Sequence, residues 1–143
     1  MVVPSNVRQQ FAPVDIVVPV YNAAAELSRC VESVLEHAGG DWRLTLASNP
    51  SNLGFTLTAN RGMREARPGA DVVLLNSDTV VTRGWLAALS RCAASDPRIG
   101  TITPFSNNAE ICSLPRFCAN NPWPEGKDPA PLAEALARSA VPT

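Results

Sequence analysis

Asp78 closes a polar turn, Asn76-Ser77-Asp78, that follows directly on the apolar run Asp71-Val72-Val73-Leu74-Leu75. The turn offers one carboxylate, and a hard divalent cation shared with phosphate oxygens often needs only one or two from the protein. Two other apolar runs end in similar polar groups: Asn22 follows Asp15-Ile16-Val17-Val18-Pro19-Val20, and Asn49 and Asn52 follow Trp42-Arg43-Leu44-Thr45-Leu46-Ala47. Each has a plainer reading. Asn22 suits a helix cap, Asn52-Leu53-Gly54 suits simple turn chemistry, and Asp78 suits a turn carboxylate.

Other chemistries lack their parts. No GxGxxG follows the first apolar run and no GxxxxGK[ST] occurs, so the usual phosphate cradles are missing. There is no GxSxG elbow. The chain has a single histidine, His37 at a helix end, which leaves no histidine-based triad or multi-histidine metal site within it. The four cysteines, Cys30, Cys92, Cys112 and Cys118, form no CxxC pair and read as reduced, packed thiols, Cys112 and Cys118 being the two that could pair in an oxidising compartment.

The elements that must position these groups follow from periodicity. The run Val72–Leu75 reads as a strand covered on both faces, the parallel-sheet pattern, and ligands of open α/β sheets sit just beyond the carboxyl ends of such strands. Residues 1–13 read as a loose leader and 14–143 as one domain. The strand at 15–20 turns at Tyr21-Asn22 into a helix over 23–37, with Leu27, Cys30, Val31, Val34 and Leu35 on one face, Asn22 as N-cap and Gly39-Gly40 as the stop. A strand over 42–47 leads through the turn at 48–54 to a helix over 55–66 with Leu57, Met63 and Ala66 on one side. Gly62 in its middle costs about 1 kcal/mol against alanine, which points to close approach of a sheet or ligand. After the third strand, Thr82 is expected to cap a helix with Leu86, Leu89, Cys92 and Ala93 inward, and Ile99–Thr103 is expected to be a fourth strand.

The order β-α-β-α-β-α-β predicts an α/β fold, a Rossmann-like, mostly parallel sheet with right-handed crossovers and helices on both faces. Residues 104–127, rich in Pro and Asn, form an unusually long connection of the kind that is functional or disordered, and a short helix over 132–138 follows, with Pro129 at its start.

Composition restricts the partners. The chain has 143 residues, is 45% hydrophobic and 17% charged, and carries a net charge of −1, so no basic field announces nucleic acid or an anionic membrane. No apolar run reaches the roughly 18 residues of a membrane span and no signal-peptide layout opens the chain. The expected location is the cytoplasm, or a peripheral position at the inner membrane face.

Taken in order, Val14-Asp15-Ile16-Val17-Val18-Pro19-Val20-Tyr21-Asn22, then Asn52-Leu53-Gly54-Phe55 with Asn60-Arg61-Gly62, then Val73-Leu74-Leu75-Asn76-Ser77-Asp78-Thr79 and Gly84-Trp85-Leu86 resemble the amino-terminal half of a family 2 glycosyltransferase, over roughly residues 14–118. The resemblance implies an incomplete GT-A fold that binds a nucleotide sugar. It implies that Pro19, Tyr21 and Asn22 line the nucleotide pocket, that Asn52, Gly54, Asn60 and Arg61 support the donor together with Asn76, and that Asp78 holds a magnesium or manganese ion on the diphosphate. The implied donor is a UDP-, GDP- or dTDP-sugar, the acceptor a saccharide, lipid or protein, and the setting polysaccharide biosynthesis.

Three departures qualify what the resemblance carries over. The Asp-Asp-Gly-Ser-like stretch that contacts base and ribose has no match between Leu44 and Asn52. The first acid of the metal motif is Asn76 here. The family's general base lies in a segment that would begin about where Thr143 ends, so no catalytic residue is assigned; Glu110 and Glu125 are the nearby carboxylates. The alternatives are a non-catalytic remnant that binds a nucleotide or a partner protein, and an unrelated doubly wound binding domain.

Overall fold

Val14 to Pro19 are all buried, and both faces of this run are covered, because it is the middle strand of the sheet. A computed structural model describes residues 11–22, 24–124 and 127–139. The chain divides into two compact units, one ending at Val81 and the other beginning at Thr82.

In the first unit the elements run β1 (Val14–Val20), α1 (Ala24–His37), β2 (Trp42–Ser48), α2 (Gly54–Arg64) and β3 (Asp71–Leu74). The sheet is parallel, in the order β2-β1-β3, with Val14 level with both Trp42 and Asp71. The two crossovers step in opposite directions across β1, so right-handed connections place α1 and α2 on opposite faces. The coarse expectation of a parallel α/β sheet with flanking helices therefore holds.

Close packing of α2 explains Gly62. A Cβ there would stand 3.2 Å from the Ala47 Cβ and would overlap Val17 Cγ1, so only glycine lets the helix lie this close to β1 and β2. The buried stripe of α2 is accordingly Thr58, Ala59 and Gly62. Leu57, expected inward, is exposed, because small side chains and not large ones fill so narrow a gap. On α1 the buried residues are Cys30, Ser33 and Val34, while Leu35 is exposed. The Ser33 hydroxyl donates to the Cys30 carbonyl at 2.8 Å and accepts the Val81 N–H at 3.1 Å, and the Cys30 thiol donates to the Asn76 carbonyl at 3.6 Å. These bonds fix α1 against the segment that follows β3.

Asp15 is a buried charge on the α2 face of β1. Its carboxylate accepts the Arg67 backbone N–H at 2.6 Å, Arg67 Nε at 2.8 Å and Arg43 Nη2 at 2.7 Å, and Arg67 reaches on to Asp41 at 2.9 Å. Burial raises the Asp15 pKa, but the Arg67 and Arg43 hydrogen bonds outweigh it and hold the carboxyl below its ordinary value. The network joins β1, β2 and the link between α2 and β3.

Two expectations about the sheet are corrected. Among the described residues Ile99–Thr103 forms no strand. With no fourth strand paired to it, β3 is an edge strand: Val72 and Leu74 are 38% and 43% exposed, where a strand covered on both faces was expected.

The second unit holds α3 (Trp85–Ser95) and α4 (Ala130–Ser139). Thr82 does not cap α3. The cap position is Gly84, at φ +78°, and Thr82 instead accepts the Trp85 N–H through its backbone carbonyl at 3.2 Å. Leu86 and Ser90 are buried on this helix, whereas Cys92, expected inward, is exposed. The long connection is ordered by its own polar groups. The buried Ser113 hydroxyl donates to the Arg116 carbonyl at 2.9 Å and accepts the Ala119 N–H at 3.1 Å, and the buried Asn121 side chain bonds to the backbone of Arg116 and Ala119. Cys112 and Cys118 within it are free thiols.

Candidate functional site

A cleft of about 430 Å³ opens at the carboxyl ends of the three strands of the first unit, within the size range of roughly 300 to 1,000 Å³ typical of small-molecule sites. Pro19 and Tyr21 reach it from the end of β1, Asn49, Asn52 and Gly54 from the turn after β2, and Asn76, Ser77 and Asp78 from the turn after β3. This is where a parallel α/β sheet leaves its crevice. The strand ends that the sequence singled out therefore converge on one hollow.

The turn after β2 is shaped by its own amides. Asn52 Oδ1 accepts the Gly54 N–H at 2.9 Å, and Gly54 stands at φ +78°, a conformation that favours glycine. Thr58, one turn into α2, donates to the Gly54 carbonyl at 2.8 Å and accepts from Asn49 Nδ2 at 2.6 Å. Arg61 Nη1 in turn donates to Asn49 Oδ1 at 2.8 Å. This chain orients the Asn49 amide on the cleft wall from outside.

The donor-binding set expected from the sequence is thus divided. Pro19, Tyr21, Asn52, Gly54, Asn76 and Asp78 line the cleft. Asn22, Asn60 and Arg61 do not. Asn22 is exposed at φ +53°, which also differs from the extended conformation of an ordinary N-cap. Arg61 is exposed and acts on the wall through Asn49.

Seven lining residues fell outside the expected set: Val20, Glu26, Asn49, Ser51, Phe55, Thr58 and Ser77. Glu26 was legible in principle, because Cys30 and Val34 define a buried ladder at i and i+4 that extends one turn back to position 26. Thr58 is likewise one turn beyond Gly54.

Charge is distributed unevenly in the cleft. Among the described residues its lining contributes two carboxylates, Glu26 and Asp78, and no Lys, Arg or His. Burial pushes the Cys30 thiol above its ordinary pKa, and the Asp78 charge pushes it further, so Cys30 stays protonated and packs as a small apolar group. Asp78 itself is exposed, beside a turn closed by the Thr79 N–H on the Asn76 carbonyl at 3.0 Å. Oxygen groups from Asp78, Asn76 and Ser77 on one wall suit a hard divalent cation. Of the carboxylates considered as a base, Glu110 is exposed in the second unit and Glu125 lies outside the described residues.

No helix among the described residues is long and apolar enough to cross a membrane. No protein-family model matches the chain, and no curated protein sequence matches it.

Proposed function

We propose that this chain binds a nucleotide sugar, with the cleft as its donor site, and serves a metal-dependent glycosyl transfer to a saccharide, lipid or protein acceptor. The observation that carries the reading is the single cleft shared by Tyr21, the Asn52–Gly54 turn and Asp78. A GT-A arrangement requires the turns after its strands to act on one ligand. The charge pattern supports it further: with no cationic side chain in the described lining, a diphosphate is favoured there only when a cation accompanies it.

Asp78, helped by the oxygens of Asn76 and Ser77, would hold that magnesium or manganese ion. When bound, the ion would supply electrostatic stabilisation of the departing diphosphate. The remaining roles belong to the protein. Tyr21, half-exposed at the end of β1, offers an aromatic face to the base, and the amides of Asn49 and Asn52 offer donors and acceptors to the polar parts of the ligand. Transfer itself is displacement at the anomeric carbon through an oxocarbenium-like transition state.

Capture of a nucleotide without transfer is the second reading. It is favoured by the lining, in which, among the described residues, Glu26 is the one carboxylate besides the Asp78 assigned to the metal. General-base help is commonly worth about 10²- to 10⁴-fold, so its absence would show as binding without turnover.

Calorimetric titration with UDP, GDP and dTDP, with and without manganese, tests the proposal. We expect at least one of the three to bind only when manganese is present, and Asp78→Ala to weaken that binding about tenfold or more. Binding that ignores both the metal and Asp78→Ala would refute the donor site. Release of nucleotide from the corresponding nucleotide sugar separates transfer from mere capture.

A further inference from the structure

We propose that Glu26 is a specificity-determining residue that accepts both hydroxyl hydrogens of a vicinal diol on the bound ligand, either the ribose of the nucleotide or the ring of the transferred sugar. The inference rests on the nucleotide-sugar reading above and names what its second carboxylate recognises.

Glu26 sits in the first turn of α1 and lines the cleft. Cys30, one turn on and on the same side of the helix, donates to the Asn76 carbonyl, so the stretch that carries Glu26 is held to the turn that carries Asp78. The ion pair of Glu26 with Arg29 spans 3.8 Å, too long for a hydrogen bond, and the Arg29 side chain is 67% exposed. The carboxylate therefore keeps acceptor capacity on both oxygens, and an ionised carboxylate only accepts. Adjacent hydroxyls present two O–H donors at matching spacing.

Electrostatics decides which part of the ligand meets it. A phosphate beside Glu26 would be repelled, because the described lining supplies no side-chain cation and the exposed Arg29, 3.8 Å from Glu26, is not among the lining residues. The anionic end of a nucleotide sugar then belongs at the Asp78 turn with its metal, and a neutral polyol fits Glu26. In doubly wound folds an acidic side chain on the ribose hydroxyls is an established solution to the same problem. Here the stretch after β2 carries no carboxylate that could do it, since Asn49, Pro50, Ser51 and Asn52 are neutral.

The test uses the full chain with manganese and paired probes: UDP against 2′-deoxy-UDP, GDP against 2′-deoxy-GDP, and UDP-glucose and dTDP-glucose against their parent nucleotides. A charge-assisted pair of hydrogen bonds predicts about tenfold tighter binding of the member that carries the diol. Glu26→Ala should erase that preference while leaving the weaker member unchanged, and Glu26→Gln, which keeps the shape, should reduce it and guards against a folding defect. Loss of the ribose preference assigns the ribose diol. Loss of the gain from the attached sugar assigns the sugar diol. If Glu26→Ala leaves both preferences intact, or weakens every probe by one factor, the inference is overturned and the donor site stands. If the unmodified chain binds none of the probes, both fall together.

Discussion

The two ends of β1 handle charge in opposite ways. At the amino end Asp15 is fully buried and held by two arginines and a backbone N–H, while at the carboxyl end the cleft presents Glu26 and Asp78 with no cationic side chain in the described lining. Burying a carboxylate costs several kcal/mol unless partners satisfy it, and the Asp15 end supplies those partners within the fold. At the cleft end Glu26 has only the exposed 3.8 Å pair with Arg29, and Asp78 makes no ion pair among the described residues. One carboxylate set is therefore structural, and the other is available to a ligand.

The largest effect that would break this contrast lies at Arg67. Arg67→Ala removes the Nε hydrogen bond on Asp15 and the pair with Asp41, and leaves a buried carboxylate with Arg43 and one backbone N–H. We expect a loss of about 3 kcal/mol in urea unfolding, a large share of the roughly 5 to 15 kcal/mol that holds an ordinary domain together. Nucleotide affinity of the fraction that remains folded should not change. A loss under 1 kcal/mol would mean that the network is peripheral.

Acid acts on the same group. The folded-state pKa of Asp15 lies below its unfolded value of about 3.9, so the folded chain holds its carboxylate more tightly ionised than the unfolded chain does. The stabilisation is fully present above about pH 4 and is lost as pH falls through the folded-state value. Unfolding free energy followed from pH 6 to pH 2 should drop for the unmodified chain, and the part of that slope due to Asp15 should be missing in Asp15→Asn. An identical slope in both would assign acid sensitivity to other carboxylates.

The same contrast explains what could be read in advance. The strand at Val14–Val20 was legible because a continuous apolar run bounded by a turn fits a buried parallel strand, and the mixed run Trp42–Ser48, only partly buried, was also placed as a strand. The close approach at Gly62 was legible because a mid-helix glycine carries a cost that needs a reason. Ile99–Thr103 was not. Its apolar pattern satisfies a strand, but periodicity records only local preference and says nothing of whether a neighbour is present to pair with. Leu57 misled for a related reason: hydrophobicity marks the large residues of a helix, while the face pressed on the sheet was built of Thr58, Ala59 and Gly62. Most of the cleft followed from one rule about strand ends. Asp15 was noted only as the start of a strand, because its partners Arg43 and Arg67 come from distant positions that no local pattern links to it.

The smallest expected effect sharpens the comparison most. Asp78 is exposed, makes no ion pair among the described residues, and sits in a turn closed by backbone atoms of Asn76 and Thr79. Removing its carboxylate deletes no contact that the fold depends on, so Asp78→Ala should move the unfolding free energy by no more than about 0.5 kcal/mol. Any shift should be toward stability, since two carboxylates, Asp78 and Glu26, share a cleft whose described lining has no cationic side chain, which is mildly unfavourable in the free protein. Adding manganese should restore the difference in the other direction, because a ligand that binds only the folded state stabilises it in proportion to its occupancy. Thermal unfolding of the two proteins with and without manganese reads both effects at once. A carboxylate that costs stability alone and returns it with a metal is kept for what it binds; one whose loss unfolds the chain would belong with Asp15, and the division between the two ends of β1 would disappear.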